Sequence, residues 1–417
     1  MNSYLFLQGV SSPFFPALGQ ALRACGHEVH RLNFNGGDRH FWRKGRAYHG
    51  GLEGLDAHYR KLFSEIKPSH LVLFGDQRPV HLPAIALAEQ KGLDIWVFEE
   101  GYFRPHWVTL EWGGVNGRSW LSTDPDWYRR EAASLPAPVI PTPFPNGFSL
   151  RRRYDLQNSF FSYLGFSQFP KYRTHRPYTV ALEYAGWLYR LSGLKAANVQ
   201  AQQAIDTLAA SKKPYWVLPL QLDPDFQVRV HSSFGGMLPA VAPIIRSFAR
   251  HAPSDAVLVV KNHPLHNGLI FYEKHVRALA VESGIPDRVL FIDGGNLDQL
   301  VAGSKGMVLI NSTTGFAALE QSKPLITLGK ALYDLPGLTF QGPLDAFWAE
   351  AGPPDGELSH CFRRVLAHYT LVNGDFYTPD GIAAAVQNSL AALERKGGPY
   401  DERPPSPMRK RDFPKRV

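Results

Sequence analysis

Short apolar runs alternate with longer amphipathic ones over the first hundred residues, the pattern that α/β units produce. Residues 4–8 predict a first strand and 15–24 a helix, with Pro16 near its start and Gly26 beyond its end. A strand at 28–34, a helix at 55–65, a strand at 70–74, a helix at 82–90 and a strand at 94–98 follow. Each strand feeds a polar loop at its C-terminal end, where doubly wound sheets bind ligands.

Residues 112–175 break this pattern, because Pro, Trp, Tyr, Phe and Arg crowd there and the periodicity weakens. Helical patterning resumes over 178–192 and 199–210. A second α/β series has strands near 215–220, 256–261, 288–292, 306–310 and 325–328, with helices at 238–250, 269–282, 297–302 and 316–321. A last helix near 381–394 precedes a basic tail. The expectation is an α/β chain of two Rossmann-like domains facing a central cleft. Residues 1–190, with the 112–175 insert, form the first domain. Residues 191–395 form the second, and 396–417 form a disordered tail.

Composition supports this division. A chain of 417 residues exceeds what one hydrophobic core usually supports. Two cysteines, Cys25 and Cys361, leave no disulfide framework or cysteine-rich zinc site, which suits a reducing cytosol. The first residues lack the charged start and long apolar stretch of a secretion signal. No run nears the roughly 18 apolar residues of a bilayer span, so a cytoplasmic location is expected. The net charge of +8 is concentrated in residues 395–417, which hold eight Lys/Arg against three acids. Such a balance suits nucleic acid, an anionic membrane or an anionic substrate. The chain has no RNP, zinc-finger or helix-turn-helix signature, which sets nucleic acid aside.

Three clusters at strand ends can carry chemistry. Glu99 and Glu100 precede Gly101, and because adjacent strand residues point to opposite faces, only one is expected to aim into the cleft as base or nucleophile. An ordinary loop with a Glu–Arg104 ion pair accounts for them equally well. Lys261, Asn262, His263 and Pro264 follow an apolar run, and a cation and an imidazole there could neutralise a phosphate leaving group. The plain alternative is a structural histidine in a proline turn. Asn311, Ser312, Thr313 and Thr314 lead into Gly315 and a helix, more hydroxyls than one helix cap needs.

Further polar groups sit at other strand ends: Gln8, Asn35 and Asp38, then Asp76, Arg78 and His81, and Gln221 with Asp225, Gln227, Ser232 and Ser233. Any one of these groups could be a turn. Dinucleotide, P-loop and metalloprotease motifs are missing, and the histidines lack metal-ligand spacing, so no metal and no cofactor is expected.

The ordered strings QGxxxPFF at 8–15, NFNGGD at 33–38, FGDQRPVH at 74–81, EEGYFRP at 99–105, TLEWGGVNGRS at 109–119 and KNHP at 261–264 resemble the KpsS-type capsular β-Kdo transferases. The resemblance runs to about residue 390. It implies a GT-B fold and retaining transfer of Kdo from CMP-β-Kdo to a phosphatidylglycerol-type lipid at the inner face of the cytoplasmic membrane, beginning a poly-Kdo capsule linker. It also implies other capsule biosynthesis and export proteins as partners.

The family's acidic motif falls on Glu99 and Glu100, with Glu100 the first choice for the reacting group. Its His-Pro motif falls on His263 and Pro264, and its hydroxyl motif on Ser312, Thr313 and Thr314. Lys261, Asn311 and Gln221 join the donor side. Asp76, Arg78, His81, Arg104, Asn35 and Asp38 join the acceptor and sugar side. A CMP-sugar carries one phosphate, so protein hydrogen-bond donors can replace a metal clamp.

Arg151–Arg153, Lys171, Arg173 and Arg176, interleaved with Phe160, Phe161, Tyr163, Phe166, Phe169 and Tyr172, suit an anionic membrane surface or an interdomain connector. The tail, with Arg409–Arg411, Lys415 and Arg416, is expected to add membrane attachment. The rival readings are another CMP-activated acidic sugar, such as sialic acid, and a non-catalytic capsule assembly factor.

Overall fold

A computed structural model of the chain describes residues 1–174, 178–223, 228, 230–394 and 416–417. Asp225, Gln227, Arg176, Arg409–Arg411 and Lys415 lie outside the described residues. The chain divides into two compact units, the first made of residues 1–120, 135–175 and 364–410, the second of 121–134, 176–363 and 411–417.

The first unit opens with β1 (Ser3–Phe6), α1 (Phe14–Ala24), β2 (Glu28–Asn33), α2 (Gly36–Phe41) and β3 (Arg46–Ala47). α3 (Leu55–Ile66), β4 (His70–Phe74), α4 (Leu82–Gln90), β5 (Asp94–Glu100) and β6 (Trp107–Trp112) follow. The chain leaves for α5 (Pro125–Ser134) and returns for α6 (Phe148–Leu164).

The second unit continues with α7 (Val180–Ser211), β7 (Tyr215–Pro219), α8 (Met237–His251), β8 (Val257–Lys261), α9 (Tyr272–Glu282) and β9 (Val289–Ile292). It goes on through α10 (Leu297–Gly303), β10 (Gly306–Leu309), α11 (Gly315–Glu320), β11 (Leu325–Thr327) and α12 (Leu344–Glu350). Within α13 (Gly356–Thr370) the chain passes back to the first unit, ending in β12 (Leu371–Asn373) and α14 (Pro379–Leu393).

The first sheet runs β12-β6-β5-β4-β1-β2-β3, parallel throughout except where β6 and β12 pair antiparallel. The second runs β11-β10-β7-β8-β9, all parallel. Counted within each unit, both contain the 3-2-1-4-5 order of a Rossmann half, with the order reversing between β1 and β4 and between β7 and β10. The α/β expectation therefore holds, GT-B-like in its two Rossmann-like units.

Alternation along the strands explains the layers. In the first unit Leu5, Leu71, Leu73, Ile95 and Val97 meet Tyr59 and Leu62 of α3 and Ile85 of α4. On the other face Phe14 and Phe15 of α1 pack edge-on against Phe98. In the second unit Trp216, Leu218, Leu258 and Val260 face α8 and α12, whereas Val217, Val257 and Val259 face α7 and α10.

Several expectations change. The boundary drawn between residues 190 and 191 lies between 175 and 176, and 364–394 belong with the first unit because β12 extends its sheet and α14 packs on α1. The helices expected at 178–192 and 199–210 are one helix, α7, since nothing at Ser192–Gly193 interrupts its hydrogen bonding. The 112–175 stretch holds α5 and α6. At the C-terminus Arg416 is not in a loose tail: it is buried, donates to Thr327 O at 2.9 Å and pairs with Asp334 at 2.9 Å. Among the described residues no helix is long and apolar enough to cross a membrane.

Candidate active site

In the second unit the donor-side residues meet at the point where strand order reverses. Gln221, just past β7, donates Nε2–H to Asn311 Oδ1 at 2.9 Å, and Asn311 N donates back to Gln221 Oε1 at 3.1 Å. This pair ties the C-terminal ends of β7 and β10 together, and both side chains are buried. The loop beyond folds on its own hydroxyls: Thr314 N and Thr314 Oγ1 both donate to Ser312 Oγ, at 3.2 and 2.8 Å. Tyr333 OH donates to Ser312 O at 2.5 Å. Gly315 is required here, because a Cβ would sit 2.5 Å from Tyr333 Cζ. Ser312, Thr313 and Thr314 remain partly exposed.

The Lys-Asn-His-Pro loop leaves β8 beside them in the same sheet. Leu265 N donates to His263 Nδ1 at 3.0 Å, which assigns the neutral ring's proton to Nε2 and makes that atom a donor. Asn262 holds the loop, accepting from His263 N at 2.9 Å and donating to Asp293 Oδ1 at 3.0 Å. Arg190 of α7 pairs with the same Asp293 oxygen at 2.8 Å and donates to His266 O at 2.7 Å.

Lys261 is buried on this α7 side; burial lowers its pKa, Asp293 opposes that and Arg190 adds to it. It therefore supports the loop from beneath. Pro264 is exposed at the loop's tip. Arg190 carried no strand-end signal, since it is mid-helix, whereas Asp293 directly follows β9, a strand-end position that sequence reasoning did not single out. Ser232 is buried and bonded to Val228 O, while Ser233 is exposed.

In the first unit β5 runs on through both glutamates, which pair with β6 as Glu99↔Thr109 and Glu100↔Val108. Their side chains part as a pleated strand requires. Glu100 Oε1 accepts from Tyr377 OH at 2.7 Å and pairs with Arg151 at 3.1 Å. Glu99 turns the other way, over Gly75 at the end of β4. A Cβ on Gly75 would lie 3.4 Å from Glu99 Oε2 and 4.0 Å from Arg78 Nε, so the two side chains flank that glycine, whose φ is +69°. Arg78 donates to Gly9 O at 3.1 Å and so spans the β1–β4 reversal. Arg104 pairs with neither glutamate by a hydrogen bond in this arrangement; its Nε donates to Gly101 O at 3.3 Å and the residue is exposed.

Four acceptor-side candidates are buried framework. Asn35 caps α2, accepting from Asp38 N at 2.8 Å. Asp38 accepts from Phe34 N at 3.0 Å and Gln8 Nε2 at 3.2 Å and faces Arg31 at 3.3 Å. Asp76 is 1% exposed and accepts from Val115 N at 3.2 Å, and burial raises its pKa against the pull of Arg118. His81 is wholly buried with Nδ1 on Gly75 O at 2.7 Å. Burial and hydrogen bonding inside the fold remove all four from the solvent-facing surface of the strand ends. Arg151 and Tyr377, from segments far apart in sequence, are the partners that sequence reasoning did not assign to Glu100.

Residues 69–377 match the family described as capsule polysaccharide biosynthesis protein. The chain belongs to that family. It is 34% identical to the capsule polysaccharide export protein KpsS of Escherichia coli over 383 residues, 90% of this chain and 97% of that protein. It is likewise 34% identical to the capsule polysaccharide modification protein LipB of Neisseria meningitidis serogroup A, over 90% of this chain and 92% of that one. Among solved structures it resembles the Thermosulfurimonas dismutans KpsC β-Kdo 2,7 transferase at 14% identity, with a TM-score of 0.42 across 95% of this chain and 100% of that one. As a member of the capsule family, the chain carries the two glutamates and His263 within the matched segment.

Proposed function

We propose that this capsule protein is a retaining glycosyltransferase that moves Kdo from CMP-β-Kdo to a phosphatidylglycerol-type lipid and so begins a capsule linker. The observation that carries the reading is the second unit's strand-end cradle. There the Gln221–Asn311 pair, the Ser312–Thr314 hydroxyls and a His263 Nε2 donor stand on neighbouring loops of one parallel sheet. Such neutral donors suit a single phosphate whose charge grows as the sugar leaves. The capsule polysaccharide names of the relatives support a capsule substrate, and the choice of Kdo follows the resemblance of the ordered motifs.

On this reading Glu99 is the reacting carboxylate. Its carboxylate accepts from Glu100 N at 3.1 Å and flanks Gly75 with Arg78, and Glu100, held by Arg151 and Tyr377, acts as a positioning residue. The carboxylate bonds to the anomeric carbon while the C–O bond to CMP breaks, the electron pair leaving on the phosphate beside His263. The acceptor hydroxyl then displaces the glutamate, and its proton passes to solvent, giving net retention. Arg78 is suited to the carboxylate of Kdo. No metal or cofactor takes part, and the enzyme works from the inner face of the cytoplasmic membrane with other capsule proteins.

The test is CMP release from CMP-Kdo and, separately, CMP-sialic acid, each with a short-chain phosphatidylglycerol. Release from CMP-Kdo that is lost in Glu99→Gln and His263→Ala supports the reading. Release from CMP-sialic acid alone changes the donor, and capsule production unaffected by both substitutions leaves an assembly factor instead.

A further inference from the structure

α6 has two faces with different surroundings. Its inner face meets α2, where a Cβ on Gly36 would fall inside the radius of Phe161 O and one on Gly37 inside that of Asn158 Oδ1. The same helix delivers Arg151 to Glu100. Its outer face is apolar where a solvent-facing helix is ordinarily polar. Phe148, Leu156, Phe160, Tyr163 and Leu164 are each more than half exposed, with Tyr163 at 80%, and Phe166 just past the helix end is 63% exposed. Positions 148, 152, 156, 160 and 163 form one helical stripe. Single exposed apolar residues need no explanation, but a continuous stripe does.

Charge selects the occupant. Residues 148–173 hold five Lys/Arg and one acid. Arg152 lies in the stripe, Arg153 follows it on the helix, and Lys171 and Arg173, just beyond the helix, are exposed. The one acid, Asp155, lies near Arg151, whose pKa is raised against burial chiefly by Glu100, then by Tyr377 and Asp155. Aromatic and leucine side chains edged by cations suit the headgroup boundary of an anionic bilayer better than a protein surface.

The geometry points to α6 as the element that lays this protein on an anionic bilayer. Phe160, Tyr163 and Phe166 enter the headgroup–acyl boundary, and Arg152 and Arg153 meet lipid phosphates. The inference deepens the lipid-acceptor reading above and rests on it. Because Arg151 sits on the same helix, docking would bring the bilayer to the element that orients Glu100.

The full chain is floated with phosphatidylcholine vesicles that contain or lack phosphatidylglycerol. The wild type is expected to float with the anionic vesicles. Phe160→Ser/Tyr163→Ser/Phe166→Ser should bind them at least about tenfold more weakly, because each buried aromatic contributes a substantial part of the partition free energy. Arg152→Glu/Arg153→Glu should abolish the preference for phosphatidylglycerol. Both variants should keep the wild-type melting temperature and the wild-type rate of CMP release with a short-chain, water-soluble acceptor.

Equal flotation of the wild type and the aromatic variant overturns the proposal. So does a wild type that stays off the vesicles but self-associates through this face, as shown by a mass lowered in the aromatic variant. Flotation as expected without any CMP release would overturn the transferase reading and leave the docking surface standing. Intact release with unaltered flotation would do the reverse.

Discussion

Replacing Asp38 by alanine removes the partner of a buried cation. Arg31 is 5% exposed and faces Asp38 at 3.3 Å, and burial already depresses its pKa while Asp38 holds it up. Without the carboxylate, Arg31 keeps Asn33 Oδ1 at 2.8 Å and Leu7 O but carries an uncompensated buried charge, and Phe34 N loses its acceptor. Breaking a buried ion pair from one side costs about 3–5 kcal/mol, a large part of the roughly 5–15 kcal/mol that holds a domain folded. Asp38→Asn keeps an acceptor for Phe34 N and drops only the charge, so about 2 kcal/mol is expected. The assay is urea unfolding followed by circular dichroism, with hydrogen exchange of the 28–42 segment to place the loss in the first unit. If both variants unfold within about 1 kcal/mol of wild type yet lose sugar transfer, Asp38 is a binding group, as its strand-end position suggested, and the framework argument is wrong.

Gly315→Ala drives a methyl into Tyr333, which is buried and bonded to Ser312 O, so the hydroxyl loop must shift; stability should fall by about 1–3 kcal/mol and KM for the donor should rise more than kcat falls. Tyr377→Phe leaves Glu100 with Arg151 alone and should slow transfer by about tenfold, with donor KM unchanged in steady-state assays. His266 is buried and its pKa is lowered to about 4, chiefly by burial and then by Arg190. The unfolded chain binds that proton more readily. This contribution is therefore complete above about pH 6.5 and is lost as pH falls toward 4, up to about 3 kcal/mol in all. Urea midpoints of His266→Gln should show a shallower decline over that range, and an unchanged slope would contradict the assignment.

The strands and most helices were legible because their apolar alternation matches the layers that bury them: β4, α4 and β8 fall where the pattern places them. β6 and α6 were not. α6 buries no residue fully and leaves its apolar stripe outward, so its pattern lacks the inward face that periodicity detects. β12 pairs with β6 across more than 250 residues of sequence, a register no local window contains. Within the candidate site, strand-end position found Gln221, Asn311, Ser312 and His263, whose places follow from topology.

Position alone did not separate surface groups from framework. The Asn-Gly-Gly-Asp string reads as a polar loop, yet Asn35 caps α2, Gly36 and Gly37 admit α6, and Asp38 holds Arg31. Thr109–Ser119 is similar: buried Glu111 accepts from Tyr102 OH and Ser119 Oγ, and Asp76 anchors the Val115 turn. Burial decides such cases, and burial is a property of the folded chain.

Mass spectrometry of the lipid after incubation with CMP-Kdo and a short-chain phosphatidylglycerol reads the proposed transfer itself. The lipid mass should rise by one Kdo residue, with no such product from Glu99→Gln and a reduced amount from Tyr377→Phe. A lipid of unchanged mass from the wild type, or full product from Glu99→Gln, would contradict the proposal.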